Sequence, residues 1–111
     1  MTTKQTLLAA CCALASAAAV AQDAPSIERG KQVFEHWCAP CHSAGDQYPG
    51  TVALGVKYQG DLPAEIEKRT DLTPEAIKAF VRTGISVMPF FRKTEIGDAD
   101  LDALAAYLTQ R

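Results

Sequence analysis

Apolar residues recur at three- and four-residue intervals along most of this chain and seldom alternate, so the pattern predicts helices and leaves little room for strands. A first helix is expected to start at Ser26, whose hydroxyl can cap it. Glu28 then falls in the opening turn, where the helix dipole favours a negative charge. Ile27, Gly30, Phe34 and Trp37 follow at helical spacing and should line one face. Asp61-Leu62-Pro63 introduces a short helix expected over residues 64–69. Thr73-Pro74-Glu75 is a third start: a capping hydroxyl, a proline at the first helical position and an acid. Ile77, Phe80 and Val81 should form its buried face, and Gly84 should close it in the left-handed conformation. Asp98 is expected to cap a last helix, with Asp100 in its first turn and Leu101, Leu104, Ala105 and Leu108 along its inner side. The expected fold class is all-α.

The first 21 residues read differently. Lys4 supplies a weakly positive start, residues 7–20 are an uncharged run rich in Leu and Ala, and Ala19-Val20-Ala21 has the small-x-small form of a signal-peptidase site. The run is shorter than the roughly 20 apolar residues a spanning helix needs, so no membrane span is expected. Leu8-Ala9-Ala10-Cys11 has the form of a lipoprotein cleavage box, but cutting there would leave an apolar core of only a few residues. Cleavage after Ala21 is the reading preferred, with residues 1–21 a signal peptide and residues 22–111 one domain.

Ninety residues bury only about 60–65% of their unfolded surface, and chains this small often need a staple. The formal net charge of −2 becomes −3 once Lys4 is lost, with ten basic residues against thirteen acidic. That balance argues against nucleic acid and against an anionic membrane surface as partners.

The staple is suggested by Cys38-Ala39-Pro40-Cys41-His42, which has the C-x-x-C-H spacing of covalent haem attachment. Two thiols three positions apart can each add to a vinyl group as a thioether, and the adjacent histidine can then serve as an axial ligand of the iron. A redox-active C-x-x-C pair does not require the histidine, and the strand-rich surroundings of such a pair are missing. A structural zinc site needs four ligands, whereas residues 22–111 hold two cysteines and two histidines, one of them adjacent to Cys41. With Met1 removed, Met88 is the one methionine left, in a non-helical segment Ser86-Val87-Met88-Pro89-Phe90 between two helices. A thioether is a soft ligand that favours reduced iron, so Met88 is the candidate for the opposite axial position. His36, two residues before Cys38, is expected at the surface. The expected cofactor is one haem c, bound through Cys38 and Cys41, with His42 and Met88 on the metal.

With these residues in place the chain resembles a class I cytochrome c from Ser26 to Tyr107. Gly30 and Phe34 stand eight and four residues before Cys38, as in that family. The resemblance implies three to four helices around a covalently attached haem, with the N-terminal helix crossing the C-terminal one at the glycine and Phe34 packing near Tyr107. It also implies export, so a periplasmic location is expected. One departure stands out. The family usually carries Gly-Pro-x-Leu after the motif, and the proline carbonyl accepts a hydrogen bond from the axial histidine. Here Gly50-Thr51-Val52-Ala53-Leu54 puts threonine in that place, and a backbone carbonyl near residues 49–51 is left as the expected acceptor.

Lys57-Tyr58-Gln59-Gly60, residues 69–74 and the segment Met88 to Glu95 are similar to the small cytochrome subunits of flavin dehydrogenases oxidising 4-alkylphenols, such as p-cresol methylhydroxylase and eugenol hydroxylase. That likeness implies an electron-transfer subunit that takes electrons from a flavoprotein dehydrogenase subunit and hands them to a downstream acceptor protein. Phe90, Phe91, Arg92 and Lys93 would then be a docking patch, since aromatics and arginine are favoured at interface centres; the alternative is that the aromatics are core and the cations merely solvated. Two further readings stay open: a free-standing shuttle, and a haem enzyme or sensor that binds a small ligand after Met88 dissociates.

Overall fold

The computed structural model describes residues 25–110; the expected signal peptide, its cleavage point and Cys11 lie outside the described residues. The chain folds as α1 (Ile27–Val33), a π-helical turn (Phe34–Cys38), α2 (Ala39–His42), α3 (Pro49–Tyr58), a 3-10 turn (Ile66–Lys68), α4 (Pro74–Thr83) and α5 (Asp98–Gln110). No strand occurs among the described residues, so the fold is all-α as expected. No helix among them is long and apolar enough to cross a membrane.

The caps show where local sequence sufficed. The Ser26 hydroxyl accepts from the Arg29 amide at 3.2 Å, and the Thr73 hydroxyl accepts from the Ala76 amide at the same distance, with Pro74 at the first helical position. Other expectations need correction. The short helix expected over residues 64–69 is present but shorter, a 3-10 turn confined to Ile66–Lys68. Helix α3 has no counterpart among the helices expected from the pattern: Val52 and Val56 are exposed, so no buried face marks it in the sequence. Phe80 is 41% exposed while Ile77 and Val81 are buried. Gly84 does take a positive φ of 66°, but its ψ of 173° sends the chain into an extended path, not a left-handed cap. Asp98 is the first residue of α5, and its carboxylate accepts from Arg82 and Lys93 on neighbouring elements.

The core forms where α1 lies across α5. A Cβ added to Gly30 would stand 2.6 Å from the Ala103 carbonyl carbon and from the Tyr107 Cβ, and closer still to the Ala103 carbonyl oxygen. Two helix backbones can approach that closely only where one lacks a side chain. One turn on, the Phe34 and Tyr107 rings meet with centroids 5.8 Å apart and planes tilted by 48°. Val33, Phe34, Leu101, Leu104, Ala105, Tyr107 and Leu108 join Ile77, Val81 and the fully buried Ile96 in one apolar cluster. The aspartates of α5 fasten its outer side: Asp100 to Arg29 of α1 at 2.7 and 2.8 Å, Asp102 to Lys78 of α4 at 2.5 Å, and Asp98 to Arg82 and Lys93.

Replacing Gly30 by alanine should destabilise the protein by about 3 kcal/mol in denaturant unfolding, because the intruding atom meets backbone that cannot rotate away. Hydrogen bonds from Lys93 and Arg82 hold the Asp98 carboxyl below its usual pKa, and a hydrogen bond from Arg29 does the same for Asp100. A carboxylate depressed in the folded state contributes stability that is present above its unfolded pKa of about 3.9 and lost as pH falls through the folded value. The melting temperature should therefore drop below about pH 4. Asp100→Asn should flatten that decline, and added salt should weaken it.

Candidate functional site

The C-x-x-C-H residues sit at the end of one continuous helical run whose winding changes twice. In the π-helical turn the Ala39 amide reaches back to the Phe34 carbonyl, five residues away, before α-helical winding resumes. Such turns insert one residue into a helix and are frequent at functional sites. This one lies between the α5-facing Phe34 and the cysteines, and shifts their register. It carries no composition signal that sequence reading could have used. Cys38 is half-buried and Cys41 exposed, both as free thiols. Burial first, and the neighbouring Cys41 second, push the Cys38 thiol up to about 12, so it is held protonated at neutral pH.

His42 closes the short α2. Burial lowers its pKa, which favours the neutral imidazole that a metal requires. Its Nδ1 is fully buried and accepts or donates no hydrogen bond in the protein. The carbonyl expected near residues 49–51 is therefore not its partner. Gly50, in the first turn of α3, fills that side instead: a Cβ there would lie 2.7 Å from the ring Cε1, 2.8 Å from Nδ1 and 2.7 Å from the Cys41 carbonyl oxygen. The ring is thus oriented by close packing against a glycine backbone. Thr51, at the position where the resembled family has proline, is buried and donates its hydroxyl hydrogen to the Ser43 carbonyl at 2.8 Å. That bond joins α3 to the residue immediately after His42.

Met88 lies in a turn beyond α4. The Ile85 amide donates to the Met88 carbonyl at 3.2 Å, and the Met88 amide returns a bond to the Ile85 carbonyl at 2.9 Å. Ser86 at the turn takes a φ of 53°. The strap comes back to α4 at Phe91, whose amide donates to the Val81 carbonyl at 2.8 Å. The Phe91 ring then stands edge-on to Trp37, with centroids 5.7 Å apart. Trp37 immediately precedes Cys38, so this contact joins the foot of the Met88 strap to the cysteine-bearing segment. His36 is exposed, with its ring at right angles to Trp37. Of the suggested docking patch, Phe91 belongs to the core side. Phe90 is 60% exposed, and Arg92 and Lys93 project outward while pairing with Glu95 and Asp98.

These residues fit a covalently held haem. The cysteines stand on one stretch of helix, a neutral imidazole is fixed beside them, and a thioether lies in a strap tied to the same cluster. Val52 and Val56 of α3, with Ile85 and Val87 of the strap, are large apolar side chains left uncovered by protein; a macrocycle offers apolar surface to such groups.

Residues 25–108 match the family model described as cytochrome c oxidase, cbb3-type, subunit III. The chain belongs to this family. It is a c-type cytochrome, and that membership implies covalently bound haem c and electron transfer. Among solved structures, cytochrome c6 from the diatom Phaeodactylum tricornutum is similar at 24% identity, over 75% of this chain and 90% of that chain, with a TM-score of 0.46. No curated protein matches the chain.

Thr51→Val keeps the shape but strands the Ser43 carbonyl, so this cytochrome should lose about 1–2 kcal/mol of stability in urea unfolding. Thr51→Ser, which retains the hydroxyl, should recover most of that loss.

Proposed function

We propose that this cytochrome carries single electrons in the periplasm, after removal of residues 1–21, through one haem c. Cys38 and Cys41 would hold the haem through thioethers, and His42 and Met88 would bind its iron. The observation that carries this reading is the half-buried imidazole of His42, its Nδ1 fully buried and its ring packed against Gly50, at the end of the helical run that bears both cysteines. When bound, the haem would supply a reversible one-electron couple, and a sulfur ligand would favour its reduced state.

The chain's own residues do the positioning. Gly50 and Thr51 fix the orientation of His42 through close packing and through the bond to Ser43. The turn at residues 85–88 presents Met88, and Phe91 anchors it on Trp37. The donor we favour is a flavoprotein dehydrogenase of the 4-alkylphenol-oxidising type, docking on the exposed Phe90 and the outward-facing Arg92 and Lys93. An aromatic flanked by cations suits a partner with an acidic rim, and such a rim speeds encounter more than it raises affinity. The family's description names a subunit of a terminal oxidase, which favours a second reading of the downstream step, delivery to an oxidase in place of another small carrier.

The test begins with protein matured where haem attachment occurs. Its pigment should stay with the polypeptide in acidified organic solvent, and the oxidised form should show the weak far-red band of iron–sulfur ligation. Met88→Ala should abolish that band and open the reduced protein to carbon monoxide. A colourless protein, or pigment lost to the solvent, overturns the assignment. Phe90→Ala combined with Arg92→Gln should slow reduction by the flavoprotein about tenfold at low salt, with the difference shrinking as salt rises. An unchanged rate would place docking elsewhere.

A further inference from the structure

The segment that carries Met88 is fastened at its base by one side chain. Arg82 lies in the last turn of α4, and its guanidinium reaches three points beyond the strap. Nη1 donates to the Phe91 carbonyl at 3.1 Å and to the Ile96 carbonyl at 2.8 Å, and Nη2 donates to the Asp98 carboxylate at 2.8 Å. These acceptors span the return of the chain from the strap to α5. Ile96 is fully buried, so its carbonyl is drawn into the same joint as the core. Lys93 donates to the other oxygen of Asp98 at 2.7 Å, which adds a second cation to the outer end. The other foot of the strap is tight as well: at Gly84 an added Cβ would lie 2.6 Å from the Met88 carbonyl oxygen and 2.9 Å from the Phe90 amide. The strap therefore leaves and rejoins α4 within a few residues, and the guanidinium joins the rejoining end to α5.

We propose that Arg82 is a positioning residue for Met88: by holding the Phe91 and Ile96 carbonyls together, it keeps the thioether where it would bind the iron. The proposal rests on the ligation reading above. Its physical basis is that thioether–iron bonds are weak compared with the thioethers to the cysteines, so retention of Met88 depends on how seldom the strap opens. Hydrogen bonds from a charged donor to partly buried carbonyls are among the stronger ones, and a planar guanidinium can serve three acceptors where an ammonium is a point charge. Strap opening is then local unfolding, set by the bonds at its feet.

The experiment uses the haem-loaded, full-length protein and compares wild type, Arg82→Ala, Arg82→Lys, Asp98→Asn and Met88→Ala. The readouts are the far-red band of the oxidised form, the rate of carbon monoxide uptake by the reduced form, and far-ultraviolet dichroism to confirm the helices. Arg82→Ala should weaken the band and raise the carbon monoxide rate by about tenfold or more, as expected for losing charged hydrogen bonds. Arg82→Lys should fall between it and wild type. Asp98→Asn leaves both carbonyl bonds and should stay near wild type. A folded Arg82→Ala protein with the wild-type band and wild-type uptake overturns the proposal. Should Arg82→Ala fail to accumulate, Arg82→Lys decides: uptake equal to wild type overturns the proposal, and faster uptake with intact helices supports it. If Asp98→Asn loosens the ligand as much as Arg82→Ala, the carbonyl clasp is wrong and surface charge is the cause. Wild type that lacks the band and takes up carbon monoxide as fast as Met88→Ala would instead sink the ligation reading.

Discussion

The close passage of α1 over α5 at Gly30 is the constraint on which the rest of this cytochrome depends. With no Cβ at that position the Ala103 backbone enters the space a side chain would occupy, and the helices interlock through Phe34 and Tyr107 one turn further on. Because the helical run from α1 continues without a break into α2, the crossing also sets where the cysteines and His42 stand. A small domain with a limited core gains most from a contact that positions two long elements and the site at once.

From that crossing the site is reached along two routes. On one side the π-helical turn carries the chain to Cys38, Cys41 and His42, where Gly50 and the Thr51–Ser43 bond hold α3 against α2. On the other side α4 packs into the same cluster through Ile77 and Val81. It then holds the Met88 strap at Gly84 on one foot and, through Val81 and Arg82, at Phe91 on the other. The Trp37–Phe91 contact joins the two routes directly. Both candidate axial ligands are therefore referred to one rigid cluster, which suits a centre that must change charge without large rearrangement.

Part of the likeness to flavocytochrome subunits has a structural explanation within the chain itself. Tyr58 and the segment at residues 69–74 meet in space: Arg69 donates to the Tyr58 hydroxyl at 2.9 Å, stacks over its ring at 4.8 Å and forms a two-pronged pair with Asp71. Arg69 is almost fully buried, and its hydrogen bond to Asp71 both raises its own pKa and lowers that of the acid. Beside it the Tyr107 hydroxyl bonds to Glu67, which ties the irregular stretch between α3 and α4 to α5. These residues hold a loop in place, so the partner proposal leans on the exposed Phe90, beside Arg92 and Lys93, which pair with Glu95 and Asp98.

Local signals were legible wherever chemistry acts over a few residues. The caps at Ser26 and Thr73, the buried stripe of α5, the glycine–aromatic spacing ahead of Cys38 and the C-x-x-C-H motif all depend on neighbours in sequence, and helical periodicity follows from the chain's own geometry. What tertiary structure alone decided depends on groups distant along the chain. Helix α3 has exposed valines and no buried stripe to announce it. The side of His42 is closed by Gly50 and not by a carbonyl, because packing of α3 on α2 put a glycine there. Asp98 was drawn from a cap to Arg82 and Lys93 because two cations from other elements outcompete local amides for one carboxylate. Spacing identifies the groups able to hold a metal, whereas only the packed fold settles what holds those groups still.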